Sequence, residues 1–247
     1  MNDLPYLTIV TAEGSALADA AEGHLDAPVP TCSDWTVAQL VAHVGGVHGW
    51  SRRVVAAGGE RVSLRDSPRP PEDPADLLPW YRSGLADLVE GLSGDADAPA
   101  WTFSPTAPNT VGWWQRRQAL ETAVHRFDAQ TAADSGPADG IATDLAVVGI
   151  DEFVVDFLPR ALAANPTEAL TGTLHLHATD APGEWWLDFG AEGLATRREH
   201  AKADTAVRGP ASGLYLWLWN RQTPEAAGLE IFGRVETADA WPAAVKI

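Results

Sequence analysis

The chain has 247 residues, 45% of them hydrophobic and 21% charged, with a formal net charge of −17. That length buries an ample core in one large domain or two modest ones. The 18 acids and 9 bases of residues 1–135 are matched by 16 and 8 in residues 136–247, so there is neither an acidic tail nor a basic patch. Nucleic acid and anionic membrane surfaces both need clustered Lys and Arg, and both are excluded as expected partners. Cys32 is the single cysteine, so no intrachain disulfide forms. Met1 to Val10 include Asp3 and no basic run, unlike a signal peptide. No 18-residue apolar stretch suggests a span, and the chain reads as cytosolic.

A first helix is expected over residues 8–27, with Leu17, Ala18, Ala21 and Leu25 on one side and Pro28-Val29-Pro30 as its stop. Thr36 and Gln39 make a capping-box pattern that opens a second helix running to about Ala57, where Gly58-Gly59 end it. His43 sits two turns inside. Residues 61–75 are a polar, proline-rich loop. A third helix spans about 75–93, carrying Leu77, Leu78, Trp80, Tyr81, Leu85 and Leu88. Ser93 to Val111 is a long connection, of the kind that is often functional. A fourth helix runs from about Gly112 to Ala133. Four amphipathic helices with one long crossover suit a bundle, in which core-facing side chains of different helices can build a metal site.

Ser135-Gly136-Pro137 marks a boundary between a 1–135 domain and a 136–247 domain. Ile141 to Ala164 reads as helical, after which the apolar period changes to two. Strands are expected at 171–179, 184–189, 193–199 and 203–208. A helix from Gly209-Pro210 to about Arg221, a strand near 229–232 and a terminal helical turn follow. Strands gathered beside segregated helices give an α+β chain: an N-terminal four-helix bundle and a smaller C-terminal mixed α/β domain of sheet plus helices.

The most informative spacing is Glu121 and His125, four residues apart on the fourth helix and therefore on one face. A carboxylate and an imidazole so placed can share a cation or form a plain helix pair. His43 is the candidate third ligand. Two His and one Glu with an open position would be a catalytic rather than a structural metal set. Asp128, three after His125, can orient its ring N–H or stay at the surface. Arg117 shares the face of Glu121 and can pair with it or hold an anion. His48 is expected at the rim or in packing, Asp34 in a cap or turn, and Cys32 in packing. His175 and His177 form an H-x-H pair read as an exposed polar strand face. Trp113-Trp114 and Trp185-Trp186 are read as core, with pocket lining as the alternative. There is no G-x-G-x-x-G, Walker loop, H-E-x-x-H or G-x-S-x-G, so nucleotide-cofactor and serine-hydrolase chemistry lack support.

Cys32-Ser33-Asp34-Trp35-Thr36-Val37, Leu40-Val41-Ala42-His43, Arg116-Arg117 and Glu121-Thr122-Ala123-Val124-His125-Arg126-Phe127-Asp128-Ala129 together resemble the mycothiol-dependent maleylpyruvate isomerase family. The resemblance covers nearly the whole chain and is most specific in its N-terminal half. It implies that the bundle is DinB-like and that His43, Glu121 and His125 bind a divalent metal, typically zinc. It also implies a low-molecular-weight thiol, mycothiol, as cosubstrate, and an Arg from the C-terminal domain. Arg221 is the first candidate by position, Arg208 the second. Leu120 departs from the pattern, standing where many relatives carry His. Thiolate addition to a conjugated cis-enone, rotation and expulsion would isomerise a maleylpyruvate-like substrate; retention of the sulfur on an electrophile would make an S-transferase. A non-catalytic metal or small-ligand binder, and a thiol-independent metal hydrolase, are the alternatives. A monomer or small homo-oligomer is expected.

Overall fold

The computed structural model describes every residue except 1–3, 33, 134–136, 191, 192 and 247. Compactness divides the chain between Asp139 and Gly140. Ser135 and Gly136, on which the sequence places the boundary, lie outside the described residues. The architecture is α+β, as the change of period implies.

The N-terminal unit holds helices α1 (Tyr6–Ala21), α2 (Val37–Ala56), α3 (Leu77–Leu92) and α4 (Val111–Ala133). The capping box is formed: Gln39 N–H donates to Thr36 Oγ1 at 3.4 Å and Thr36 N–H to Gln39 Oε1 at 2.8 Å. Two amides left over by the first turn of α2 are thereby satisfied, and the start of that helix is fixed. α1 stops at Ala21, short of residue 27, because Gly23 turns the chain with φ 78°, a region glycine enters without a Cβ clash. α1 packs on α4 and α2 on α3. Leu17, Leu40, Val44, Tyr81 and Ala129 belong to the resulting core, where each buried leucine contributes about 1.5–3 kcal/mol of transfer free energy.

α4 departs from the amphipathic pattern of the other three. It buries Arg117, Gln118, Thr122, His125, Arg126 and Asp128 together with its apolar residues. Buried polar groups are retained where they are paired or functional, so this helix is where chemistry is to be sought. The connection into it is ordered by its own bonds: Trp114 Nε1–H donates to Trp101 O at 2.7 Å, and Thr102 N–H to Asn109 Oδ1 at 2.7 Å. Trp113 and Trp114 are core residues, in edge-to-face contact with each other and with Phe103.

In the C-terminal unit the helix expected to run unbroken to Ala164 is interrupted. α5 (Thr143–Glu152) and α6 (Leu158–Ala164) flank a π-helical turn over Phe153–Phe157, where Leu158 N–H reaches back to Phe153 O. Pro159 is the cause: it has no N–H to donate to Val155 O, and its ring crowds that carbonyl. Five strands follow: β1 (Gly172–Ala178), β2 (Glu184–Gly190), β3 (Gly193–Arg197), β4 (Thr205–Gly209) and β5 (Glu230–Gly233). Helix α7 (Ala211–Leu218) precedes β5, and α8 (Glu236–Ala244) follows it. The sheet order is β3-β2-β1-β4-β5, with β1 and β4 parallel and the other pairs antiparallel. Leu174, Leu176, Leu187 and Val207 are fully buried, as are Leu214 and Leu218 of α7 and Trp241 of α8. Among the described residues no helix is long and apolar enough to cross a membrane.

Candidate metal centre

α2 and α4 bring His43, Glu121 and His125 together. His43 Nε2 and His125 Nε2 each stand 3.3 Å from Glu121 Oε1, and the three donor atoms all lie within 4.8 Å of one another. The ring centroids of His43 and His125 are 5.1 Å apart, and the Trp35 ring packs 4.8 Å from His43. His125 is buried, whereas the His43 side chain is 37% exposed, so one side of the group is open to solutes.

Glu121 and His125 each have a partner behind them. Arg117 Nη2 pairs with the other Glu121 oxygen, Oε2, and leaves Oε1 facing the imidazoles. Burial works against ionisation of Glu121, but Arg117 and His125 hold its carboxyl well below the usual carboxylate range. His125 Nδ1 is 2.9 Å from Asp128 Oδ2. Asp128 has no exposed surface, and it also accepts from Thr31 Oγ1–H at 2.6 Å and from the Cys32 thiol at 3.7 Å. Burial lowers the pKa of His125, but Glu121 and Asp128 outweigh it and push the ring up to about 9. The protein field therefore favours positive charge at this point.

The donor set suits a divalent cation such as zinc. Asp128 accepts from His125 Nδ1–H, so a cation that displaces the Nε2 proton would meet that nitrogen's lone pair on the Glu121 side, the carboxylate–imidazole arrangement that orients metal-binding histidines. Three protein donors leave a coordination position free.

The other sequence candidates fall outside this group. His48, on α2, is fully buried, 3.0 Å from Thr122 Oγ1 and 5.6 Å from the Tyr81 ring, and burial lowers its pKa to about 3. It is a neutral packing residue. Leu120 is fully buried in the core, so the residue that departs from the family pattern is an apolar packing residue. Asp34 is exposed in a turn. Arg208 stands 3.6 Å from Glu230.

Arg221 follows α7, which ends at Leu218 rather than near Arg221. Asn220 adopts φ 59°, Asn220 N–H donates to Trp217 O at 2.9 Å, and Arg221 N–H to Leu216 O at 2.8 Å. This is a Schellman cap with Asn at the left-handed position. The guanidinium donates to Trp219 O at 2.8 Å and stands 5.9 Å from the Trp219 ring centroid.

The strand face expected to be merely polar and exposed is different. His175 is buried, and it converges with His177, Glu184 and His200. Glu184 and His200 belong to no motif in the sequence. The hairpin register, which pairs His177 with Glu184, was within reach of the strand pattern; the approach of His200 was not.

A family model described as the mycothiol maleylpyruvate isomerase N-terminal domain matches residues 7–130, and one described as the MDMPI C-terminal domain matches residues 144–240. Two similar solved structures are the crystal structure of the mycothiol-dependent maleylpyruvate isomerase and that of a histidine-to-alanine mutant of it. Each is 14% identical, with 87% of this chain and 89% of that chain covered, at TM-scores of 0.58 and 0.60. At that identity the likeness is one of fold. No curated protein sequence matches the chain.

Proposed function

Because the chain belongs to the mycothiol maleylpyruvate isomerase family, we propose that it is a thiol-dependent cis–trans isomerase with a divalent metal, zinc by its donor set, at His43, Glu121 and His125. The observation that carries this reading is the convergence of two imidazole nitrogens on Glu121 Oε1 with Asp128 behind His125. A cation held by these three side chains supplies the positive charge that favours thiolate over thiol in an incoming cosubstrate, mycothiol. Asp128 holds the proton of His125 at Nδ1, Arg117 keeps Glu121 ionised and turned inward, and the open side of His43 admits solutes. The thiolate sulfur adds to the cis double bond of a maleylpyruvate-like enone. The resulting single bond rotates, and expulsion of the same thiolate restores the double bond as trans and returns the thiol. Arg221 is assigned to a substrate carboxylate, which a guanidinium grips bidentately at any working pH.

The test is turnover of maleylpyruvate by the zinc-loaded chain with and without mycothiol, together with zinc content. We expect thiol-dependent isomer formation, and His43→Ala and His125→Ala should each be inactive and hold one zinc equivalent fewer than the parent. Turnover independent of thiol would point to a metal hydrolase, accumulation of a thiol conjugate to an S-transferase, and no turnover at all to a binding protein. Equal zinc in all three proteins would remove the metal centre from the reading.

A further inference from the structure

We propose that His175, His177, Glu184 and His200 form a second divalent transition-metal site, a four-donor clip that fastens the crossover between β3 and β4 to the face of the sheet. It lies wholly in the C-terminal unit and does not depend on the reaction assigned to the first centre.

The site follows from strand register. His175 and His177 are two apart on β1 and so share one face. In the β1–β2 hairpin, His177 stands opposite Glu184 and His175 opposite Trp186, which puts Glu184 on that same face. Sheet topology brings the fourth donor. β3 and β4 run parallel with β2 and β1 between them, a gap of about 14 Å at the usual strand spacing. The connection from Arg198 to Asp204 must therefore cross one face of the sheet. It crosses the histidine face, because Trp186 Nε1–H donates to Lys202 O at 3.3 Å and Asp204 accepts from Thr173 N–H and Oγ1–H at 2.9 and 3.0 Å. His200 rides on this strap.

All three rings point a nitrogen at one carboxylate. His175 Nε2 is 2.7 Å and His200 Nδ1 2.6 Å from Glu184 Oε2, and His177 Nδ1 is 2.9 Å from Oε1. The four donor atoms lie within 4.8 Å of one another. Ligand atoms around a tetrahedral zinc are roughly 3.3 Å apart, so shifts of about an ångström close the shell. Three of the donors sit on paired strands, which hold their spacing, and the fourth can move: the His200 side chain is 77% exposed, while His175 is buried. Three imidazoles and one carboxylate select zinc, copper, nickel or iron over magnesium or calcium. Four protein donors fill a tetrahedral shell, which gives a structural clip rather than a second catalytic centre.

The experiment uses the full chain without a purification tag, stripped by chelator and titrated with Zn(II) against a chromophoric competitor. The parent should bind two equivalents and His125→Ala one. Adding His200→Ala to His125→Ala should weaken the remaining zinc roughly tenfold or more and abolish the visible bands of a Co(II)-loaded sample. Circular dichroism checks that the variants fold; His200 is exposed, so its loss leaves the core intact, and Glu184→Gln serves as the second variant. The clip is overturned if His125→Ala binds no zinc against the competitor, or binds it equally well after both His200→Ala and Glu184→Gln; the four side chains are then a hydrogen-bonded cluster only. A parent that binds only one equivalent, and keeps it in His125→Ala, would leave the clip standing and sink the first centre instead.

Discussion

Asp128 sits behind His125, and replacing it with Asn separates orientation from coordination, because the side chain keeps its shape. Asp128 is fully buried and accepts from Thr31 on Oδ1 and from His125 and Cys32 on Oδ2. In Asp128→Asn, an NH2 placed at the former Oδ2 donates to His125 Nδ1. The neutral ring then carries its proton on Nε2, aimed at Glu121 Oε1 and into the space where a cation would sit. Zinc binding with Nε2 bare then lacks the bond to a charged carboxylate that steadies Nδ1–H in the parent, about 1.5–3 kcal/mol, or roughly a ten- to hundredfold loss of zinc affinity. Should the amide turn the other way, its oxygen still accepts from Nδ1, the Thr31 hydroxyl accepts instead of donating, and the loss falls at the lower end. Chelator competition with Zn(II) reads the affinity, and a thermal melt checks that the fold is kept. Unchanged zinc affinity in folded Asp128→Asn, beside a clear loss in His125→Ala, would refute the argument that Asp128 sets the tautomer.

Cys32→Ser should keep most of its activity and its zinc, since a hydroxyl can donate to Asp128 as the thiol does and the proposed nucleophile is an external thiol; a folded but inactive variant would show that Cys32 itself reacts. Arg221→Ala should keep its zinc and its melting temperature while kcat/KM on an anionic substrate falls roughly ten- to hundredfold, the worth of one charge-assisted hydrogen bond. Normal kcat/KM with a lowered melting temperature would instead leave Arg221 only its bonds at the end of α7.

Local signals in the sequence are legible because their causes are local. The capping box at Thr36 and Gln39 needs only four residues to form, and it did. The period-two run of β1 follows from Leu174, Leu176 and Ala178 packing inward. Elsewhere a single residue overrides a longer pattern. Gly23 ended α1 before the proline signal was reached, and Pro159 forced a π turn into an otherwise good helical run.

The two donor groups show the same division at the level of sites. Glu121 and His125 are legible from spacing alone, since a helix of fixed pitch puts i and i+4 on one face. His43 is a candidate from its residue type, but only the family motif ties it to the pair, for nothing in its own segment fixes which face of α2 meets α4. The second group sits between these cases. The H-x-H pair is visible, and the strand pattern with a short hairpin carries Glu184 to it. His200 is 23 residues from His177 in the sequence, and it arrives only because strand order sends the β3–β4 connection back over the face it has just helped to build. Strand order is a property of the whole sheet and the helices packed on it, not of the residues near His200. A histidine on an exposed connection therefore looks like an ordinary surface residue until the topology is known. Once it is known, this is the donor whose removal tests the clip with least harm to the fold.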